Sequence, residues 1–208
     1  MKLFDLPSNE KKNWLPFDGT VNYYSDFIAQ QSADRFFKEL QTNINWERDR
    51  LVLFGKEIVT RRQVAWYGDE PFEYTYSRVK KVAKPWTQEL LALKKSVEEG
   101  TGGVFNACLM NFYHDGDDGM GWHSDNEKEL QKNAPIASLS VGAPRRFMFQ
   151  HRHCHEKVEL LLESGSLLLM KDETQTHWLH QLPKSKKVHQ PRINVTFRRM
   201  VSQQQVKY

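Results

Sequence analysis

The sequence predicts a mainly β, α+β fold: a double-stranded β-helix, or jelly roll, preceded by N-terminal helices. Apolar residues recur at helical spacing in the first half of the 208-residue chain, and after about residue 102 they form short alternating or wholly apolar segments. Short strands at such spacing, separated by Gly, Pro, Asp or Ser, are typical of a sandwich or barrel. We therefore expect one domain over residues 1–208, with an N-terminal extension and helices over about 1–100 and a jelly-roll core over about 101–200.

The helices are predicted from apolar stripes at positions i, i+3, i+4 and i+7. The first spans about residues 32–42, and its stripe consists of Ala33, Phe36, Phe37 and Leu40. The second follows Pro85 and ends at Gly100, since proline favours the first turn of a helix and glycine its end. Its stripe consists of Trp86, Leu90, Leu93 and Val97.

The strands are predicted from short apolar or alternating runs after Gly102. They lie near residues 104–113, 136–141, 145–151, 157–163, 166–171 and 192–198. Residues 1 to about 30 are expected to be irregular and then extended. The helices of the first half would then lean on an antiparallel sandwich.

Composition limits the class of protein. The two cysteines, Cys108 and Cys154, are too few for a disulfide-built scaffold, so we expect a reducing, intracellular setting. No run of apolar residues is long enough for a signal peptide or a membrane span, and we expect no membrane association. The formal net charge of +4 makes an anionic partner easier to attract than a cationic one.

A metal-ligand pattern occurs at His123-Ser124-Asp125, where an extended backbone would direct both outer side chains to one face. A third ligand could come from His180 or from its neighbour His177, and spacing alone leaves both open. Two histidines and one carboxylate are the ligand set of non-haem Fe(II) oxygenases, which keep open positions for co-substrate and dioxygen. Taken alone the pair is a weak signal, because most such pairs are surface residues.

A second histidine cluster, His151, His153 and His155 around Cys154, contains zinc-ligand residue types. We favour a polar hairpin between two strands for this segment. No second ligand cluster of matching spacing occurs in the chain, as a structural zinc site would need.

The segment from Arg192 to Arg198 alternates strictly, which is also the pattern of a solvent-facing strand. Its polar face consists of Arg192, Asn194, Thr196 and Arg198, and its apolar face of Ile193, Val195 and Phe197. The two arginine Cα atoms would lie about 20 Å apart, and two inward guanidinium groups would leave a gap that fits a five-carbon dicarboxylate. Asn111 and Tyr113, at i and i+2 of another strand, could add polar contacts from across the sandwich.

These motifs, in this order, resemble the AlkB family of Fe(II)- and 2-oxoglutarate-dependent alkylation-repair dioxygenases. The family pattern N-x-Y, H-x-D, a distal His and R-x-N-x-T-x-R corresponds to Asn111–Tyr113, His123–Asp125, His180 and Arg192–Arg198. The similarity covers about residues 50–200 and is closest to the members that act on duplex DNA.

The resemblance implies an Fe(II) site formed by His123, Asp125 and His180, which selects His180 over His177. It also implies a 2-oxoglutarate site formed by Asn111, Tyr113, Arg192, Asn194, Thr196 and Arg198. The implied activity is oxidative demethylation of N-alkylated DNA bases such as N1-methyladenine and N3-methylcytosine. That reaction consumes O₂ and releases succinate, CO₂ and formaldehyde, and it repairs the base by direct reversal.

The resemblance further implies a nucleotide-recognition lid over Arg62 to Ser77, in a region rich in aromatic and basic residues. The expected substrate contacts are Phe54, Gly55, Lys56, Arg62, Tyr74, Tyr76, Asn126 and Glu127. Phe54 would be an apolar finger that fills the gap left by a flipped base. From composition alone, the aromatic residues of this region would be core and its cations a solvated face.

The expected partner is alkylated DNA, duplex or single-stranded, with RNA as an alternative, and the expected state is a monomer. The protein would act in the cytoplasm with the nucleoid in a bacterium, and in the nucleus in a eukaryote. Other readings are an RNA demethylase, an oxygenase of protein side chains, and a non-catalytic nucleic-acid-binding module.

Overall fold

The computed structural model describes residues 12–53, 56–76 and 79–201, and the side chains of 50–58 and 74–80 are outside this description. The strands are β1 Thr20–Tyr24, β2 Glu47–Leu53, β3 Lys56–Gly68, β4 Glu73–Tyr76, β5 Val79–Val82, β6 Lys84–Pro85, β7 Ala107–Tyr113, β8 Met120–His123, β9 Ile136–Gly142, β10 Arg145–His151, β11 Lys157–Leu162, β12 Leu167–Lys171, β13 Trp178–Leu182 and β14 Arg192–Arg198. The helices are α1 Gln30–Asn43, α2 Gln88–Thr101 and the single turn α3 Thr174–His177.

The strands form two main sheets, as a jelly roll requires. The larger sheet has the order β1-β12-β9-β14-β7-β3-β2 with β6 beside β3, and the smaller has the order β11-β10-β13-β8. All neighbours are antiparallel except β3 and β6. In the separate hairpin β4–β5, only β4 lies in the segment 62–77 that was predicted to be a lid, and β5 follows it.

Two hydrophobic clusters hold three layers together. One lies between the helices and the outer face of the larger sheet, where α1 and α2 residues meet Leu139, Ile193 and Val195. The other lies between the two sheets and includes Phe149 and Trp178 of the smaller one. Alternation along each strand therefore sends one set of side chains to the helices and the other to the space between the sheets.

Both predicted helices are present, and their apolar stripes are buried. The end of α2 differs from the expectation, because it extends past Gly100 to Thr101 and is capped by Gly102 at φ 69°. Gly102 adopts the left-handed conformation that glycine tolerates best, and its N–H donates to the Glu98 carbonyl. The N-terminus of α2 is capped by the Thr87 side chain, which accepts from the Leu90 N–H.

The predicted strands are all present, and the expected hairpin of residues 145–162 is formed by β10 and β11. The pattern did not predict β13, because polar His180 faces the interior there while Leu179 is less buried. It also did not predict β1 and the long hairpin β2–β3 as strands of the larger sheet. Among the described helices, none is long and apolar enough to cross a membrane.

Candidate active site

Pairing of β8 with β13 brings the predicted metal-ligand residues together. His123 on β8 is directly opposite His180 on β13, and their ring centroids lie 4.2 Å apart. Asp125 follows β8 by two residues. One ligand atom from each of these three residues lies within 4.8 Å of the others. His177, the other candidate, lies instead beside His151 and Asp18.

The tautomer of His123 follows from its backbone contact. Its Nδ1 lies 2.8 Å from the Gly121 carbonyl oxygen. A carbonyl only accepts, so Nδ1 carries the proton and donates. The lone pair is therefore on Nε2, which lies 4.0 Å from the Asp125 carboxylate. An outer hydrogen bond of this kind orients a metal-binding imidazole.

His180 is a buried, neutral imidazole. Its ring stacks on Phe147 at 5.5 Å and meets the edge of Phe149. Burial of the ring lowers the pKa of His180 to about 3. Its Nδ1 is buried and has no hydrogen-bond partner among the described residues. A neutral ring with an unsatisfied nitrogen fits a cation at this point.

Asp125 is buried, and both its carboxylate and its backbone form hydrogen bonds. Its Oδ2 accepts from Arg198 Nη2 at 2.8 Å, and its backbone N–H donates to Gln175 Oε1 at 2.8 Å. Burial alone would raise the pKa of this carboxyl group, but the charge of Arg198 and its hydrogen bond to the carboxylate outweigh that effect and lower it. Asp125 is therefore ionised, as a metal ligand must be.

The polar face of β14 lies between the sheets, in the same cleft as the three residues above. All seven residues of β14 are buried, which excludes the solvent-facing reading. Pairing with β7 sets Arg192 opposite Tyr113 and Asn194 opposite Asn111. The two strands are therefore neighbours in one sheet, and the expectation that they face each other across the sandwich was wrong.

Arg192 is a buried cation without a carboxylate partner. Within the described residues no carboxylate lies within ion-pairing distance, and its Nε has no hydrogen-bond partner. Its Nη2 donates to Ser140 Oγ at 2.8 Å, and the guanidinium lies 5.4 Å from the centre of the Tyr113 ring. Burial lowers the pKa of Arg192 to about 10, so it stays charged near neutral pH. A buried charge of this kind fits an anionic ligand.

Two serines of this site were missed by the sequence analysis. Ser138 accepts from Asn194 Nδ2 at 2.7 Å, and Ser140 accepts from Arg192. Both lie on β9, whose segment Ile136–Gly142 alternates serine with apolar residues. That alternation was the available signal, because a polar residue at every second position of a buried strand marks a polar interior face.

A second group of residues that was missed centres on Asp49 of β2, which is buried. Its carboxylate accepts from Arg62 Nη2 at 2.7 Å and from Lys81 Nζ at 2.6 Å. Arg62 Nη1 also donates to Asn111 Oδ1 at 2.9 Å. The chain of contacts thus connects β5, in the hairpin β4–β5, with β7, which borders β14. Nothing in the local sequence around Asp49 signals this role.

The remaining predicted substrate residues are placed to different extents. Arg62 and Glu127 line the cleft, and Asn126 is exposed in an adjoining depression that Glu127 shares. Tyr74 and Tyr76 are on β4 of the hairpin, where only their backbone is described. Phe54 and Gly55 lie outside the described residues, as does the Lys56 side chain.

Part of the aromatic-rich region is core, as the compositional reading suggested. Trp66, Tyr67 and Phe72 are buried in hydrophobic clusters. Several of its cations pair with carboxylates on the protein, including Arg61 with Asp115 at 2.9 Å. Trp66, Tyr67 and Phe72 are therefore not available to stack against a ligand.

The sequence of this chain matches a known protein family and several known proteins. Residues 20–198 match the family model described as the 2OG-Fe(II) oxygenase superfamily. The chain is 40% identical to the DNA oxidative demethylase ALKBH2 of Mus musculus over 208 residues, covering 95% of this chain and 87% of that protein. It is 37% identical to the alpha-ketoglutarate-dependent dioxygenase alkB homolog 3 of Mus musculus, covering 86% of this chain and 65% of that protein.

A solved structure titled "The structure of OsALKBH1" superposes with a TM-score of 0.63. The match covers 89% of this chain and 99% of that one, at 16% identity. At that identity the likeness concerns the fold, and it confirms the predicted jelly roll.

Proposed function

The chain belongs to the AlkB family of the 2OG-Fe(II) oxygenase superfamily, and we propose that it repairs DNA by oxidative demethylation of N-alkylated bases. It is a dioxygenase that uses Fe(II) and 2-oxoglutarate. The observation that carries the proposal is that two imidazoles, a carboxylate and a buried two-arginine strand line one cleft. When bound, Fe(II), 2-oxoglutarate and O₂ supply oxidation of an N-alkyl C–H bond, with release of succinate, CO₂ and formaldehyde.

His123, Asp125 and His180 would hold the metal. The Gly121 carbonyl fixes the lone pair of His123 on Nε2, while the stacked phenyl rings fix the plane of His180. Arg198 keeps Asp125 ionised. The ligands are thus set in place and in their binding protonation states before a metal arrives, which reduces the cost of ordering them.

The polar face of β14 would bind 2-oxoglutarate. Arg192 offers a buried guanidinium fork to the carboxylate far from the metal, because Arg198 is already engaged with Asp125 at the metal end. Asn194, Thr196, Asn111 and Tyr113 would line the space between. Lysine could not reproduce the paired hydrogen bonds of the fork.

Alkylated nucleic acid is the substrate class. We assign the base contacts to Arg62, Tyr74, Tyr76, Asn126 and Glu127, around the mouth of the cleft and on the hairpin β4–β5. Phe54, Gly55 and Lys56 would form the finger that fills a duplex after base flipping. Such a protein would act as a monomer, with the nucleoid in a bacterium or in the nucleus of a eukaryote.

Formaldehyde release from oligonucleotides carrying N1-methyladenine or N3-methylcytosine tests the proposal. With Fe(II) and 2-oxoglutarate, we expect repair of the DNA base and an equal amount of succinate. Matched RNA oligonucleotides and methylated peptides distinguish the alternative substrates. If only RNA or only peptide is turned over, DNA is not the substrate. If DNA binds but 2-oxoglutarate is not consumed, the protein is a non-catalytic binding module.

The variant His123→Ala should lose turnover by at least about a thousandfold, because the metal would lack one of three protein ligands. Circular dichroism should show an unchanged fold, since His123 is partly exposed at the end of β8. His153→Ala, an exposed histidine of the β10–β11 hairpin, is the matched control. Retained demethylation in His123→Ala would refute the ligand assignment.

A further inference from the structure

A second cluster of metal-binding side chains lies outside the cleft. Asp18, His151 and His177 come from three separate segments, and one ligand atom of each lies within 4.8 Å of the others. Asp18 is in the N-terminal segment, His151 ends β10 and His177 ends α3. None of the three lines the cleft of the candidate active site.

From this cluster we propose a structural zinc site formed by Asp18, His151 and His177. His151 Nε2 lies 3.3 Å from Asp18 Oδ2. Two ligands bound tetrahedrally to zinc at about 2.0–2.1 Å lie about 3.3 Å apart. Imidazole and carboxylate are ligands that zinc accepts, and two histidines with one carboxylate recur in its protein sites.

The state of His151 is an independent indication of a ligand. The residue is only 5% exposed, and its Nε2 is buried without a hydrogen-bond partner among the described residues. The short distance to Asp18 therefore does not satisfy hydrogen-bond geometry. A buried, unsatisfied ring nitrogen beside a carboxylate oxygen is unfavourable by itself, and an ion between the two would satisfy both.

The other nitrogen of His151 is compatible with zinc binding. Zinc at Nε2 requires the ring proton on Nδ1, which lies 3.1 Å from Cys154 Sγ. Sulfur is a weak acceptor for such a proton. The backbone N–H groups of His153 and Cys154 donate to Nδ1 at 3.4 and 3.3 Å. These hydrogen bonds are long, and zinc at Nε2 would replace them with the contact between the Nδ1 proton and Cys154 Sγ.

A fourth ligand is available from the protein or from water. Glu173 Oε2 lies 3.6 Å from His177 Nε2, one helical turn before it. A set of two histidines with one or two carboxylates would complete a tetrahedral site. The proposed zinc ligands differ from the group His151, His153 and His155 that the sequence analysis considered. Only His151 belongs to both groups.

The site would tie the N-terminal segment to the strand that carries His180. Trp178 Nε1 already donates to the Phe17 carbonyl at 3.1 Å, and Thr20 N donates to Thr174 Oγ1 at 2.9 Å. Asp18 itself is held at φ 51°, a conformation that non-glycine residues seldom adopt. Zinc would therefore hold α3 and the start of β13 against the N-terminal segment.

Zinc content of the full-length protein after dialysis against excess Zn²⁺ tests the site. Because the active-site ligands also accept zinc, we expect two ions in the wild type and one in His123→Ala. Asp18→Asn and His177→Gln should each lose one ion, and combining either with His123→Ala should leave none. Asparagine tolerates the left-handed backbone conformation of Asp18. Asp18 is exposed and His177 is partly exposed, so we expect both variants to preserve the fold.

His153→Gln, on the same hairpin but outside the cluster, is the matched control and should keep both ions. A second measurement is thermal unfolding in the His123→Ala background, where Zn²⁺ should raise Tm and Asp18→Asn should abolish the rise. A wild type that retains only one zinc ion, or an Asp18→Asn variant that retains both, would overturn the proposal. Loss of an ion from His153→Gln would do the same.

Discussion

At the cleft, single hydrogen bonds decide which atom of each side chain is available for binding. The Gly121 carbonyl holds the Nδ1 proton of His123, and Ser140 holds one edge of the Arg192 guanidinium. Arg198 donates to the Asp125 carboxylate, so it is less available than Arg192 to bind a ligand carboxylate. The two arginines of β14 therefore have different tasks although they occupy equivalent positions of one alternating strand.

Arg192→Lys tests the task of the distal arginine. Lysine keeps the charge but loses the planar fork, so we expect the KM for 2-oxoglutarate to rise by at least about tenfold. The kcat at saturating 2-oxoglutarate should fall less, because Arg192 is far from the metal end. The measurement is succinate formation at varied 2-oxoglutarate.

Arg146→Lys is the matched control, since Arg146 lies on β10 and pairs with Glu159 at the surface. Its KM should equal that of the wild type. An unchanged KM in Arg192→Lys would remove this arginine from the co-substrate site.

At the scale of elements, strand pairing and hairpin attachment position the site. The hairpin β4–β5 is joined to the sheet through Lys81, whose ammonium group contacts Asp49. Asp49 also binds Arg62, which reaches Asn111 on β7, the neighbour of β14. The hairpin and β7 thus share one buried network, and a change at Asp49 should affect both.

Asp49→Asn should lower the free energy of unfolding by about 3 kcal/mol, because it leaves the buried Arg62 without its charge partner. That loss corresponds to a Tm decrease of roughly 6–12 °C for a chain of this size. Thermal unfolding followed by circular dichroism measures it. Glu47→Gln is the control, since the exposed pair of Glu47 with Lys84 should contribute less than about 1 kcal/mol. Equal effects of the two variants would contradict a buried network.

The end of α2 offers a paired test on two glycines. Gly102→Ala should destabilise the protein by about 1 kcal/mol, because alanine is strained at φ 69° although no atom lies near the added methyl group. Gly100→Ala should stabilise it by about 0.5–1 kcal/mol, since Gly100 is inside the helix. Chemical denaturation measures both changes. If Gly100→Ala were the destabilising variant, the helix would end at Gly100 as its sequence suggested.

At the scale of the whole molecule, the larger sheet separates an apolar layer on the helix side from a layer between the sheets that holds both a hydrophobic cluster and the polar cleft. Its outer face packs on α1 and α2, and the interior face meets the smaller sheet around the cleft. The cleft is lined by ionisable groups, among which His180 Nδ1 and Arg192 Nε are buried without a hydrogen-bond partner among the described residues. Ligands that bind these groups should therefore stabilise the folded protein.

Adding Mn²⁺ with 2-oxoglutarate should raise Tm relative to Mn²⁺ alone. At about a hundredfold excess over Kd, binding contributes about 2.7 kcal/mol, which corresponds to roughly 5–10 °C for this chain length. Differential scanning fluorimetry measures the shift, with succinate as a weaker ligand for comparison. The His123→Ala variant should show less than half of the wild-type shift, and a full shift there would place the ligand away from the metal site.

The sequence by itself determined the elements and the local chemistry. Alternation set the two faces of β14, apolar stripes set α1 and α2, and the order of motifs indicated the family. These features depend on residues close in the chain, whose relative directions follow from the backbone period alone. The pattern failed at β13, where polar His180 faces inward, and at the end of α2, where Gly102 lies two residues after Gly100 and caps the helix. It also did not assign β1, β2 and β3 to the larger sheet.

Only the tertiary structure decided which distant residues meet. In the folded chain His180 lies opposite His123, and His177 lies near Asp18. These different surroundings arise although His177 and His180 are three residues apart in the chain. The tertiary structure also brought Asp49 to Arg62. The physical reason is that strand register decides contacts between segments far apart in the chain, and a shift of one residue turns every side chain of a strand to its other face.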